Sequence, residues 1–213
     1  MSLLNPVVHF FQAGGIFMYP IALLLLLGAA IAIERLRFLS RSHRENRALW
    51  AAMVPLMGKG DHAGAEKLAQ ESPSAMGKVI AYAFAHSRET RQRAAVEMAI
   101  EESLMEVTSL LEKRTHYLAV FANVATLVGL LGTISGLIQA FAAIASLNLA
   151  EKTDVLSASI AEALNCTAFG LVTAVPLLLT HSWLTTRTGE LVDSVEMASV
   201  KFLNSLKPGA AAA

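Results

Sequence analysis

Cysteine is nearly absent from this 213-residue chain: the single Cys166 excludes an internal disulfide framework and any cysteine-based zinc site. Charge is scarce as well, at 16% of residues against roughly 25% in ordinary soluble domains. Seventeen basic and seventeen acidic side chains cancel, so nothing in the bulk charge points to nucleic acid as a partner. Chemical signatures are missing too. There is no paired-carboxylate motif, no HExxH, no Walker loop and no nucleophile elbow. His9, His43, His62, His86 and His116 lack metal-ligand spacing, and His181 is read as an interfacial polar anchor. The expectation is a protein without catalytic residues, cofactor or metal, whose energy, if it uses any, comes from an ion gradient or a partner. Met1 to Asn5 contain no lysine or arginine, so the start lacks the basic region of a cleaved secretory signal. The first hydrophobic run is expected to stay as an anchor.

Apolar length is what the chain has instead, with 54% hydrophobic residues. No charged residue occurs from Ala13 to Ile33, from Tyr117 to Ala150, or from Ala163 to Thr186. About 20 apolar residues in a helix cross a hydrocarbon core of about 30 Å, so all three runs qualify. The fold class predicted is an all-α membrane protein with three transmembrane helices and long helices extending into a cytoplasmic helical region. Basic residues set the orientation. The N-terminal segment through Gly15 has none, whereas Leu36 to Thr115 holds twelve, and Arg187, Lys201 and Lys207 follow the third run. Positive segments stay inside, which places the N-terminus in the periplasm. The predicted layout is a periplasmic or interfacial segment at 1–16, spans at 17–36, 115–147 and 155–186, a cytoplasmic helical region at 37–114, a periplasmic loop at 148–154, and a cytoplasmic C-terminal helix and tail at 187–213.

Within the middle region, Ser72-Pro73 offers an N-cap followed by proline at the first helical position. From Glu89 onward neither glycine nor proline intervenes before Gly129, which predicts one long helix continuous with the second span. Glu34-Arg35 at the end of the first run is read as an interfacial anchor. The Pro208-Gly209 tail is expected to be disordered.

Membrane helices associate through small residues and polar contacts, because lipid is as good a neighbour for leucine as protein is. Gly129, Gly132 and Gly136 supply the small residues of the second span. Asn123, Thr126 and Thr133 fall within about 80° of one another on that helix. The third span carries Ser159, Glu162, Asn165, Thr167 and Thr173, with Glu162 and Thr173 three turns apart at nearly one azimuth. A carboxyl at the centre of a span costs about 2.5–3.5 kcal/mol, so Glu162 calls for water or a neighbouring subunit. The plainer alternatives stand beside these. A threonine can bond its own backbone four residues back, Glu162 can be a structural partner, and Cys166 reads as a packing residue.

Two segments resemble a known family. Leu118-Ala-Val-Phe-Ala-Asn-Val-Ala-Thr-Leu-Val-Gly-Leu-Leu-Gly-Thr-Ile-Ser-Gly-Leu-Ile-Gln-Ala-Phe141 is similar to the second span of the MotA/TolQ/ExbB proton channel family, in its TolQ/ExbB branch. Ser159-Ile-Ala-Glu-Ala-Leu-Asn-Cys-Thr-Ala-Phe-Gly-Leu-Val-Thr-Ala-Val-Pro176 is similar to the third, and includes Gly170 and Pro176. The resemblance implies a homopentamer in the inner membrane, its pore lined by the second and third spans. The pore would hold two single-span chains of the ExbD/TolR type, which supply the proton-carrying aspartate. It implies that Thr133 and Thr167 are the paired pore threonines, that Glu162 is the third-span glutamate, and that proton flow turns the ring. Thr126 stands where the family usually has proline, and Asn165 is more polar than the residue common there. Against the motor stand a structural scaffold that conducts nothing, a flagellar MotA-type stator, and, more distantly, a solute transporter.

Overall fold

The structure is a computed structural model that describes residue 11 and residues 14–89, 92–144 and 149–205, with side chains left out at 89 and 149–151. Most of the segment expected at 1–16, part of the loop expected at 148–154 and the Pro208-Gly209 tail lie outside the described residues. The regular elements among the described residues are helices. They are α1 (Met18–Gly58), α2 (His62–Glu71), α3 (Ala75–Glu89), α4 (Arg93–Glu112), α5 (His116–Ile144) and α6 (Leu149–Ser205). The chain divides into two compact units: Met1–Ile33 with Arg114–Trp183, and Glu34–Lys113 with Leu184–Ala213.

The first unit packs the start of α1 against α5 and the earlier part of α6. Its centre is made of Ile21, Ala125 and Cys166, with Phe17, Leu24, Val128 and Phe169 around them. Phe11 meets Phe169 edge to face at 5.2 Å between centroids. Gly28 admits the Leu177 side chain so closely that a Cβ at this position would stand 2.6 Å from Leu177 Cδ2. Large apolar side chains point outward instead: Leu26, Leu127 and Leu179 are each more than 60% exposed. Leucines turned outward, with glycine and alanine at the closest helix contacts, are the arrangement expected where the surroundings are hydrocarbon. Two helical stretches, within Arg93–Ile144 and Lys152–Ser205, are long and apolar enough to cross a membrane.

The second unit has the ordinary pattern of a water-exposed domain. Leu39, Leu49, Met53, Val79, Ile80, Val96, Leu191 and Phe202 are buried in its core, and Phe84 meets Phe202 at 4.5 Å. Charged side chains cover its surface, among them the Arg41–Glu45 pair at 2.7 Å. Hydrogen bonding to Glu45 and its negative charge raise the pKa of Arg41. Asp61 caps α2 by accepting from the Gly64 N–H at 2.9 Å.

Three expectations need correction. Ser72-Pro73 does not open a helix: Ser72 is the C-cap of α2, and α3 starts at Ala75. The capping oxygen comes from Ser74, whose Oγ accepts from the Gly77 N–H at 3.0 Å. Ser72 orients it, accepting from the Ser74 N–H at 3.3 Å and donating to Ser74 Oγ at 2.9 Å. Proline thus lies before the cap, where it needs no N–H.

The long helix predicted from residue 89 into the second span is interrupted. α4 ends at Glu112, Lys113 is extended, and Arg114 has φ 66°. The interruption has a partner elsewhere in the chain. Arg35 is only 3% exposed, and its Nη2 donates to the carbonyl oxygens of Leu111 and Leu110. In an unbroken helix those carbonyls would accept the N–H groups of residues 114 and 115. A cation at the C-terminus of α4 replaces them and also meets the negative end of the helix dipole. This is the third correction: Arg35 is a buried cap, with Phe38 4.6 Å from its guanidinium carbon, and not a simple interfacial anchor.

Candidate functional site

The small and polar residues singled out in the sequence meet along one seam between α5 and α6. Glycine is required there by distance. A Cβ on Gly170 would lie 2.8 Å from the Ala125 carbonyl oxygen, and one on Gly129 would lie 3.3 Å from both Cys166 O and Thr167 Cα. A Cβ on Gly136 would come 3.0 Å from Ala163 Cβ, and one on Gly132 would collide with Cys166 Sγ. The two backbones therefore approach as closely as the small-residue pattern allows. Cys166, buried and unbridged, fills the space opposite Gly132 as a packing residue.

Closeness of the backbones brings two hydroxyls together. Thr133 and Thr167 are in direct hydroxyl–hydroxyl contact, and either can be the donor. Thr167 Oγ1 also reaches Gly129 O at 2.9 Å. Thr133 Oγ1 reaches Gly129 O and Ala163 O, each at 3.3 Å. A hydroxyl has one proton and two acceptor lone pairs, so this group holds two protons among four oxygens. Two donor directions satisfy it. Thr133 donates to Thr167 while Thr167 donates to Gly129, or Thr167 donates to Thr133 while Thr133 donates to Gly129 or Ala163. Both side chains are half-buried, so the group is partly accessible.

The remaining candidates separate. Thr126 donates to Ala122 O at 3.1 Å, the local backbone bond common for threonine in apolar helices. Asn123 is exposed and Asn165 half-buried; the three residues Asn123, Thr126 and Thr133 share an azimuth without forming one site. Glu162 and Thr173 part in the same way. Glu162 is exposed, while Thr173 is fully buried with no hydrogen-bond partner for its hydroxyl. Pro176 is exposed within α6, which runs on past it, and Thr180 donates to Pro176 O at 2.8 Å.

Sequence reasoning did not find the residue that Glu162 faces. The turn leading into α1 contains Gly15 at φ +74°, and a Cβ there would run into the Glu162 carboxylate. This turn hands on to the helix through Met18 N–H donating to Gly15 O at 3.3 Å. The Gly14-Gly15 pair at the start of the first uncharged run was the available signal, since a paired glycine marks either a left-handed turn or a close approach. Here both hold.

Apolar helices long enough to span a bilayer, joined by glycine contacts around a hydroxyl pair, define a helical membrane-protein class with a polar element at its helix seam. The comparisons narrow the class. The sequence model of the MotA/TolQ/ExbB proton channel family matches residues 70–197, and the chain belongs to that family. A biopolymer transport protein ExbB homolog of Methanothermobacter thermautotrophicus is 27% identical over 202 residues, covering 91% of this chain and 71% of that protein. The biopolymer transport protein ExbB-like 3 of Synechocystis is 30% identical over 171 residues, 79% of this chain and 80% of the relative. A shorter match, 36% over 86 residues, joins 40% of the chain to 37% of the Tol-Pal system protein TolQ of Haemophilus influenzae. These relatives belong to the TolQ/ExbB branch.

Proposed function

We propose that this chain is the ring subunit of a proton-motive-force-driven motor in the inner membrane. In this reading three spans, at 17–36, 115–147 and 155–186, cross the bilayer with the N-terminus in the periplasm. The regions at 37–114 and 187–213 are cytoplasmic, and 148–154 forms a periplasmic loop. Five copies surround a dimer of single-span partners of the ExbD/TolR type, and the assembly energises a process of the cell envelope. The observation that carries the proposal is the Thr133–Thr167 pair at the α5–α6 seam. It offers exchangeable hydrogen bonds within two uncharged runs, and those runs contain no aspartate of their own. The proton-binding carboxylate then comes from the partner. The two threonines hold water beside it by switching between the two donor arrangements, and the carboxylate takes a proton from one side and releases it to the other. Glu162, exposed next to the Gly15 turn, stands apart from the pair and serves as a second polar station.

The test is proton uptake into liposomes holding this chain with its partner. Thr133→Val and Thr167→Val preserve shape and remove the hydroxyl, and each is expected to slow uptake by roughly tenfold, the equivalent of about 1.4 kcal/mol. Wild-type flux in both variants would remove the pair from the path. A scaffold without conduction predicts a different outcome: no partner-dependent flux at all, with assembly altered by Glu162→Gln.

A further inference from the structure

The second unit contains a cleft of about 240 Å³ that the motor reading does not use. α1 contributes His43, Asn46, Arg47 and Trp50 to its lining, the first turn of α3 contributes Met76, and α6 contributes Lys201. The lining holds no carboxylate, and Arg47 and Lys201 stand exposed at its edge. Trp50 is an apolar wall, with Lys201 Nζ 5.7 Å from the ring centroid.

An independent observation lies at the same place. Asn46 is 2% exposed, and its amide is oriented without ambiguity. Its Oδ1 accepts from the Met76 N–H at 3.1 Å, and a backbone N–H can only donate. Nδ2, the donor side, therefore faces the other way, and it is buried with no hydrogen-bond partner. A buried donor left unsatisfied costs about 1–3 kcal/mol. Nδ2 has almost no accessible surface of its own, so an acceptor seated in the cleft reaches it, and relieves that cost, with a small shift of the side chains that cover it.

We infer that this cleft binds a carboxylate-bearing peptide segment of a partner protein, with an apolar side chain against Trp50 and Met76 and the carboxylate between Asn46 Nδ2 and the Arg47 and Lys201 cations. Size selects a peptide over a free small molecule. The cleft is smaller than the roughly 300–1,000 Å³ typical of sites that enclose a whole ligand, but it takes one apolar side chain with its acidic neighbour. Charge supports the same occupant, since donors and cations converge without a competing acid.

Trp50 and Trp183 are the chain's two tryptophans, so Trp183→Phe leaves Trp50 as the reporter in the full-length protein in detergent. The probe is the capped pentapeptide acetyl-Gly-Leu-Glu-Leu-Gly-amide, compared with its Gln counterpart and with octanoate. The Glu peptide is expected to shift Trp50 emission saturably, and the Gln peptide to bind roughly tenfold more weakly, the loss of a charge-assisted hydrogen bond. Asn46→Asp keeps an acceptor for the Met76 N–H but presents a carboxylate to the peptide, and should abolish the response. Arg47→Gln and Lys201→Gln, both at exposed positions that leave the fold intact, should each weaken binding about two- to fivefold. Equal binding of the two peptides, or wild-type affinity in Asn46→Asp and Lys201→Gln alike, overturns the proposal. A response to octanoate with none to the Glu peptide also overturns it, by assigning the cleft to an acyl carboxylate.

Discussion

Arg35 carries more structure than its position at the end of an apolar run suggests. Its guanidinium occupies the last carbonyls of α4, so its removal leaves buried acceptors without donors. Arg35→Met, which keeps the aliphatic stem, is expected to cost about 1–3 kcal/mol, read as a lowered thermal midpoint in detergent. Gly15 is a second such position. At φ +74° an alanine is strained by about 1–2 kcal/mol, and its methyl group also meets the Glu162 carboxylate. Gly15→Ala should therefore destabilise the chain, and adding Glu162→Ala should recover the steric part and leave the backbone part. If the double variant is no more stable than Gly15→Ala, the contact with Glu162 contributes nothing.

At the level of elements, the α5–α6 seam depends on where along the helix a methyl group is added. Gly170 and Gly189 both lie within α6, and alanine is the better helix former at each by about 0.8–1 kcal/mol. Their surroundings are opposite. Around Gly189 nothing stands within 4 Å of a Cβ, whereas at Gly170 the Ala125 carbonyl oxygen is 2.8 Å away and belongs to backbone that cannot step aside. Gly189→Ala should raise stability by up to about 1 kcal/mol, and Gly170→Ala should lower it by about 1–3 kcal/mol through overpacking. Thermal midpoints of the two variants, measured side by side, check both signs. Gly170→Ala should also separate Thr133 from Thr167 and so slow proton uptake, which Gly189→Ala leaves untouched.

For the whole molecule, one unit carries leucines such as Leu26, Leu127 and Leu179 outward, and the other holds a core of large apolar side chains that includes Met53, Ile80 and Phe202. The first pattern calls for a lipid or detergent surround, and the second for water. The ring proposed above is tested by native mass measurement in detergent, with and without the partner: five copies are expected, and a lone protomer in both cases would end that reading. Much of this scale was legible in the chain. Uncharged runs gave the apolar helices, and the absence of strand patterning between residues 37 and 114 anticipated the helices found there. The candidate site was half legible. Gly129, Gly136, Gly170, Thr133 and Thr167 do converge, but the shared azimuth of Asn123 with Thr133, and of Glu162 with Thr173, did not translate into shared surroundings. A helical wheel states the direction of a side chain and says nothing of what waits there.

Helix formation and the choice of an apolar surround follow from residues close in sequence, through the 3.6-residue period and the cost of charge in hydrocarbon. The amino-acid order by itself determined those features. Tertiary structure decided where α4 stops, because the group that ends it lies 75 residues away. It also decided which hydroxyls pair, since Thr133 and Thr167 are separated by 34 residues and meet only because glycine lets two backbones touch. Contacts of that kind depend on the packing of distant segments, and no local rule contains them.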